Sequence, residues 1–297
     1  MTVDTAAART FLRTHARIVE IRLAEFVLDG VEHAAYAAIA GIEAYRNPDG
    51  GFGNGLEADA LAPASQPLAA DSAFDILTDV AGATGNTAIR ARAAQAAAAT
   101  LDHLDSVAGS DGGLPIVLPS VAGFPRAEHW GDGVFPPGLN PTAKLVANAR
   151  ALGLDHPWMK RAAQFCRSAI EGLEPGTDAH TALCVVPFLE TELDRDESRA
   201  AYEEMLARAD QLELFKPMPG PGYGLTPLDF APDPSSPRRR FFATEAIEAH
   251  LDQLASAQQD DGGWPLSWTP PGPGPVLAWR GVVTLSALRV LRANHRI

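Results

Sequence analysis

Two carboxylates, Glu57 and Asp59, stand one residue apart just after the segment Gly53-Asn54-Gly55. Carboxyl pairs suit general acid–base work, because burial can keep one protonated as an acid. His129 is a third catalytic candidate, flanked by Trp130 and Asp132. Asp178 and His180 form another close pair, and Tyr223 and Asp229 share a later Pro-rich stretch. Trp268, Trp279 and Arg280 follow near the C-terminal end. Trp130, Asp132, Asp178, His180, Tyr223, Asp229, Trp268, Trp279 and Arg280 are read as substrate contacts, the aromatics as platforms or cation stabilisers. Arg280 or the run Arg238-Arg239-Arg240 would take an anionic head group.

Each of these has a plainer use. Glu57 and Asp59 could cap a turn or pair with arginine, and Asp178 could cap a helix. Trp264 reads as a packing plug, Trp130 and Trp268 as loop cores, and the arginine run as a loop-pinning cluster. Cys166 and Cys184 read as core residues. The two cysteines make neither a disulfide framework nor a Cys-x-x-Cys metal spacing, so no metal and no cofactor is expected.

The elements that must hold these residues are helical. Ala is abundant, strand signals are scarce, and the long segments repeat apolar residues every 3.6 positions, as in Val31, Ala35, Ala38, Ile42 and Tyr45. Segments with one polar face are assigned outside, at about 31–46, 87–107, 157–173, 196–213 and 242–258. Segments apolar nearly all round are assigned inside, at about 4–28, 67–81, 141–152, 178–191 and 276–293. Asn86, Asn140-Pro141 and His156-Pro157 mark helix starts. Alternating outer and inner helices predict an all-α chain folded as a single α/α toroid over 1–297, with about five to six pairs. The sixth would need an irregular inner element near 217–232.

A stop signal recurs three times: Asp49-Gly50-Gly51-Phe52, Asp111-Gly112-Gly113-Leu114 and Asp260-Asp261-Gly262-Gly263-Trp264. Repetition of this kind marks a repeated structural unit. Every copy falls on an outer-to-inner connection, and those connections are long: about 47–66, 109–140, 214–241 and 259–275. Inner-to-outer turns are short, as at Asp29-Gly30, and only 174–177 breaks the pattern. The long loops should therefore share one face and carry the site.

Composition narrows the partners. The net charge is -13, which disfavours phosphate backbones and anionic lipid, so no nucleic acid is expected. The N-terminal stretch mixes Ala with Arg and His and lacks a signal-peptide core, and no run reaches eighteen uninterrupted apolar residues. A cytoplasmic protein without an integral membrane segment is expected.

Gln258-Gln259-Asp260-Asp261-Gly262-Gly263-Trp264 resembles the QW-type repeat of triterpene cyclases, and Gly50-Gly51-Phe52-Gly53-Asn54-Gly55 resembles the Gly-Gly-Phe repeat of prenyltransferases. The chain thus resembles the α/α toroids of squalene–hopene cyclases, class II terpene cyclases and protein prenyltransferase β subunits. That resemblance implies an apolar cavity for a hydrophobic or lipid-like substrate and a carboxylic general acid. The cyclases' Asp-x-Asp-Asp motif is absent, and Glu57-x-Asp59 is the nearest acidic pair. Neither cysteine has the Asp two residues before it that the prenyltransferase zinc site uses.

The resemblance together with the acidic pair points first to an isoprenoid-type cyclase or transferase; the alternatives are a carbohydrate-active α/α-barrel enzyme and a non-catalytic toroid that binds a lipid or a partner protein. Cavity polarity separates the first two. A closed apolar pocket suits isoprenoids and an open polar cleft suits sugars.

Overall fold

The computed structural model describes residues 3–297. Among them the chain is all-α, with isolated β-bridges and no strand. The helices are α1 (Thr5–His15), α2 (Ile18–Val27), α3 (Glu32–Glu43), α4 (Pro67–Gly82), α5 (Thr87–Ala98), α6 (Leu101–Val107), α7 (Leu139–Ala151), α8 (Pro157–Glu171), α9 (Ala179–Glu190), α10 (Asp196–Ala207), the single turn α11 (Pro227–Phe230), α12 (Thr244–Ser256) and α13 (Pro273–Ala293). Local chemistry sets several starts. The Asn86 side chain accepts from the N–H groups of Ala88 and Ile89, and His156 accepts from Trp158 just ahead of Pro157. Asn140 keeps a non-helical backbone before a cis Pro141, so α7 begins at Leu139 across a kink.

Helices α2, α4, α7 and α9 pack side by side in chain order, each backed by the helix before or after it in sequence. Helix α13 returns to pack on both α1 and α2. Between α9 and α13 runs the irregular stretch around α11, where Leu183 of α9, Leu228 and Val283 of α13 line one cavity. The main core cluster spans residues from Val3 to Leu291.

Two expected helices differ. The segment 4–28 is not one inner helix: it breaks at Ala16-Arg17, and α1 turns away to lie on α13. The 87–107 helix is interrupted at Ala99-Thr100, where the Arg46 guanidinium reaches in to hydrogen-bond the Thr100 hydroxyl (2.7 Å) and the Ala96 carbonyl.

The three glycine turns are superimposable in their bonding. Asp49, Asp111 and Asp261 each accept the second glycine's N–H through Oδ1, at 2.9, 3.1 and 3.0 Å. The first glycine of each pair has φ of +86, +92 and +89, which an L side chain rarely adopts. Each pair also lies against the next helix along. Added Cβ atoms would strike Ala99 and His103 in the first turn, Arg161–Ala162 and Phe165 in the second, and Ala7 and Phe11 in the third. The last turn therefore docks onto the first helix as the earlier turns dock onto α6 and α8.

Helix α13 is the only described helix long and apolar enough to cross a membrane, at 21 residues and mean hydropathy 1.2. It packs on α1, α2 and α12, and its arginines are tied down: Arg289 pairs with Asp79, and Arg292 donates to the Leu28 carbonyl at 2.5 Å. That bonding commits its charged side chains to the rest of the protein.

Candidate functional site

The loop carrying Glu57 and Asp59 is zipped to a second loop. Ala127 donates to the Asp59 carbonyl (2.8 Å) and Leu61 to that of Pro125 (3.0 Å). This pairing brings the short 3₁₀ turn Glu128–Trp130 alongside Asp59, with the exposed His129 ring 4.2 Å from Trp130. From the other side come Trp268, in the loop after α12, and Trp279, on the first turns of α13; their rings meet edge to face at 5.2 Å. Both indole N–H groups lie close enough to Asp59 to favour its charged form, yet neither closes to hydrogen-bond geometry. Burial outweighs them and His129, and raises the Asp59 carboxyl above its ordinary range.

Unpaired groups concentrate here. Asp59 Oδ1 and the indole nitrogens of Trp130, Trp268 and Trp279 are all buried without a partner. The other two tryptophans are satisfied: Trp158 donates to Gly112 at 3.0 Å and Trp264 to Leu254 at 2.8 Å. Trp264 is the plug its position suggested, 2% exposed.

Trp268 also meets Tyr223 edge to face at 5.7 Å. The Tyr223 hydroxyl is 2.5 Å from His180 Nε2, and His180 Nδ1 is 3.0 Å from an Asp178 carboxylate oxygen. Asp59, Trp279, Trp268, Tyr223, His180 and Asp178 thus form a continuous chain of contacts, with His129 and Trp130 on its flank.

Glu57 faces a cavity of about 340 Å³ between α2, α4 and α13. Its carboxylate accepts from Ser72 at 2.8 Å. Burial pushes the Glu57 carboxyl up to about 7, against the Ser72 bond and with help from Asp59. The cavity wall is rich in charge: Arg17 pairs with Glu20, Arg289 with Asp79, and Asp75 stands beside them. Just behind, Lys144 of α7 bridges Asp71 (2.8 Å) and Asp75 (2.7 Å), and Asn148 donates to Asp75 at 2.9 Å. The two aspartates hold Lys144 charged despite its burial, while burial raises the Asp71 carboxyl. Asp71 Oδ1 is buried and unpartnered.

These interior charges were missed from the sequence, although a signal exists. Asp71, Asp75 and Asp79 stand four residues apart on the otherwise apolar helix α4, which puts three acids on one helical face. Lys144 and Asn148 repeat that spacing on α7.

Three expected contacts do other work. Asp132 caps a turn, accepting from Val134 at 3.0 Å. Asp229 closes a capping box with Thr226, accepting its N–H at 2.6 Å and its hydroxyl at 2.7 Å. Arg280 chelates Asp261 (2.7 and 2.8 Å) and holds the third glycine turn. The arginine run is likewise committed: Arg238 to Glu190, Arg239 to Asn294, Arg240 to Glu203. Arg280, Arg238 and Arg240 are thus paired with carboxylates, while Arg239 bonds only neutral oxygens and keeps a buried, unpartnered Nε. Cys166 and Cys184 are buried free thiols, and burial pushes Cys166 up to about 12.

No protein-family model matches the chain, and a search of curated proteins returns no significant match.

Proposed function

We propose that this protein is a general acid–base enzyme for a polar, polyhydroxylated substrate of the carbohydrate class, bound at the long-loop face of an α/α toroid. One observation carries the reading: the cavity beside the buried Glu57 sets the charged side chains of Arg17, Glu20, Asp75, Asp79 and Arg289 among apolar ones such as Leu23, Leu56, Ile76 and Leu285, a mixed wall that suits a ring with both hydroxyl groups and C–H faces. A hydrocarbon chain there would pack on the apolar side chains but desolvate the ions without bonding them, whereas hydroxyl groups can bond to them. The unpaired indole N–H groups and Asp59 Oδ1 point the same way, since hydroxyl groups can accept from the indoles and donate to the carboxylate. The toroid is supported by chain-order packing of α2, α4, α7 and α9 and by the docking of the last glycine turn on α1. In that arrangement α1 takes an outer place and α2 an inner one.

Burial raises both carboxyls, but Asp59 has two indoles and His129 favouring its charge, and we read Glu57 as the acid and Asp59 as the base. Glu57, protonated up to about pH 7, donates its proton to the leaving oxygen as the C–O bond breaks. Asp59, whose charge the two indoles and His129 favour, takes a proton from the attacking water. Aromatic faces at Trp268 and Trp279 give a sugar ring its platform.

An isoprenoid substrate keeps one observation in its favour, the run of Tyr223, Trp268 and Trp279, which could steady a carbocation. Titrating the protein with neutral oligosaccharides and with a prenyl diphosphate, followed by tryptophan fluorescence, separates the two. The expected result is saturable quenching by an oligosaccharide, weakened about tenfold or more in Trp268→Ala, with release of new reducing ends lost in Glu57→Gln. Saturable binding and turnover of the prenyl diphosphate alone would transfer the site to the isoprenoid reading.

A further inference from the structure

Three side chains beside Trp268 are joined in a way that neither carboxyl requires. Asp178 precedes the first turn of α9 and His180 lies within that turn. Tyr223 stands near the tip of the loop that returns from α10. His180 Nδ1 lies 3.0 Å from Asp178 Oδ1, and an ionised carboxylate can only accept there, so Nδ1 carries the proton. That leaves the Nε2 lone pair to accept from the Tyr223 hydroxyl at 2.5 Å. The two rings are parallel within 7°, with their centroids 5.6 Å apart. Burial works to raise the Asp178 carboxyl, but the bond from His180 prevails and lowers it, which keeps the orienting charge in place.

The surrounding backbone fixes this alignment. Ala179 donates to the Glu213 carbonyl (2.9 Å) and Glu213 to that of Thr177 (3.2 Å), tying the start of α9 to the loop that carries Tyr223. Lys216 and Leu225 close that loop through a 2.7 Å backbone bond. The Lys216 ammonium then donates to three carbonyls within it, those of Gly220 (3.2 Å), Pro221 (2.6 Å) and Gly222. A lysine spent wholly on local carbonyls is a clamp. Tyr223 nevertheless stays 38% exposed, so its oxygen can meet a ligand.

We propose that Asp178, His180 and Tyr223 form a proton relay that makes the Tyr223 oxygen a nucleophilic and basic centre of this site. The relay has the logic of nucleophile, base and orienting carboxylate, with a phenol in place of the usual serine. In acid–base use, the Tyr223 oxygen takes a proton from a substrate hydroxyl while its own proton passes to His180 Nε2, leaving an imidazolium beside the Asp178 carboxylate. A free phenolate is not involved: burial and the carboxylates of Asp229, Asp178 and Asp59 push the phenol up to about 12, so the proton must leave to His180 as the new bond forms. The inference does not depend on which substrate occupies the site.

Benzenesulfonyl fluoride tests it directly on the full chain. The Tyr223 oxygen forms a bond to sulfur, the S–F bond breaks with loss of fluoride, and the phenolic proton goes to His180. The chain supplies its own references: Tyr36 is 42% exposed and Tyr202 is 3% exposed. Peptide mass spectrometry should find Tyr223 sulfonylated about tenfold or more faster than Tyr36, at the low end of what a positioned base contributes. His180→Gln should bring Tyr223 down to the Tyr36 rate, and Asp178→Asn should slow it by mispositioning the imidazole. Labelling of Tyr202 reports unfolding, and if His180→Gln unfolds, the Asp178→Asn comparison decides. Equal rates at Tyr223 and Tyr36, or a Tyr223 rate indifferent to both substitutions, would overturn the relay. No sugar is used, so this result is separable from the fate of the carbohydrate reading.

Discussion

Glu57 shows at the residue scale how burial assigns a role that residue type alone leaves open. Raised from 4.5 to about 7, its carboxyl favours the protonated form in the folded chain. Folding then holds a proton that the unfolded chain has released, so this group's contribution falls as pH rises between the two values. The difference of about 2.5 units corresponds to at most roughly 3 kcal/mol at pH 8. Glu57→Gln keeps an acceptor for Ser72 and removes that cost. It should lose hydrolytic activity yet be more stable than the parent at pH 8, with the gap closing near pH 4.5, as urea melts across pH would show. The same ionisation predicts that turnover declines as pH rises through about 7, because the acid loses its proton. Glu57 and Asp59 were legible as candidates from their spacing. The difference between their surroundings was not, because it depends on burial and on Ser72, Arg17, His129 and two indoles drawn from distant parts of the chain.

At the element scale the glycine turns and helix α4 carry the design. The turn signal was readable because its requirements are local: an aspartate to accept the second N–H and a glycine at φ near +90. Gly112→Ala should destabilise strongly, by about 2–4 kcal/mol, since a methyl group there meets the backbone of Arg161 and Ala162. Gly153→Ala, at φ +72 with open space around it, should cost only about 1 kcal/mol. Chemical denaturation of the two variants tests whether docking or φ alone explains the motif. Helix α4 was legible as an inner helix from its apolar character. Its acidic stripe runs from the buried Asp71 to the half-exposed Asp75 and Asp79, a pattern that periodicity files as noise until Lys144, Asn148 and Arg289 are seen opposite it.

Across the whole molecule, the two chain ends support each other. Phe11 of α1 is 1% exposed, lies against Gly263, and has the Arg280 guanidinium 4.5 Å above its ring. Phe11→Ala should cost about 3–5 kcal/mol, and hydrogen exchange should rise in 258–264 as well as in α1. Loss of protection confined to α1 would refute the coupling of the ends. By itself, the sequence determined the all-α class, most helix positions, the three repeated turns and the loops that bear reactive groups, because helix period, capping and left-handed turns depend on neighbours within a few residues. Only the tertiary structure decided that 4–28 breaks into two helices, that Arg280 and Asp229 bond to Asp261 and Thr226, that Asp178, His180 and Tyr223 are bonded in series, and that charged pairs line part of the cavity beside Glu57. These depend on which side chains meet across tens to hundreds of residues, and burial and pairing there reset what each group can do.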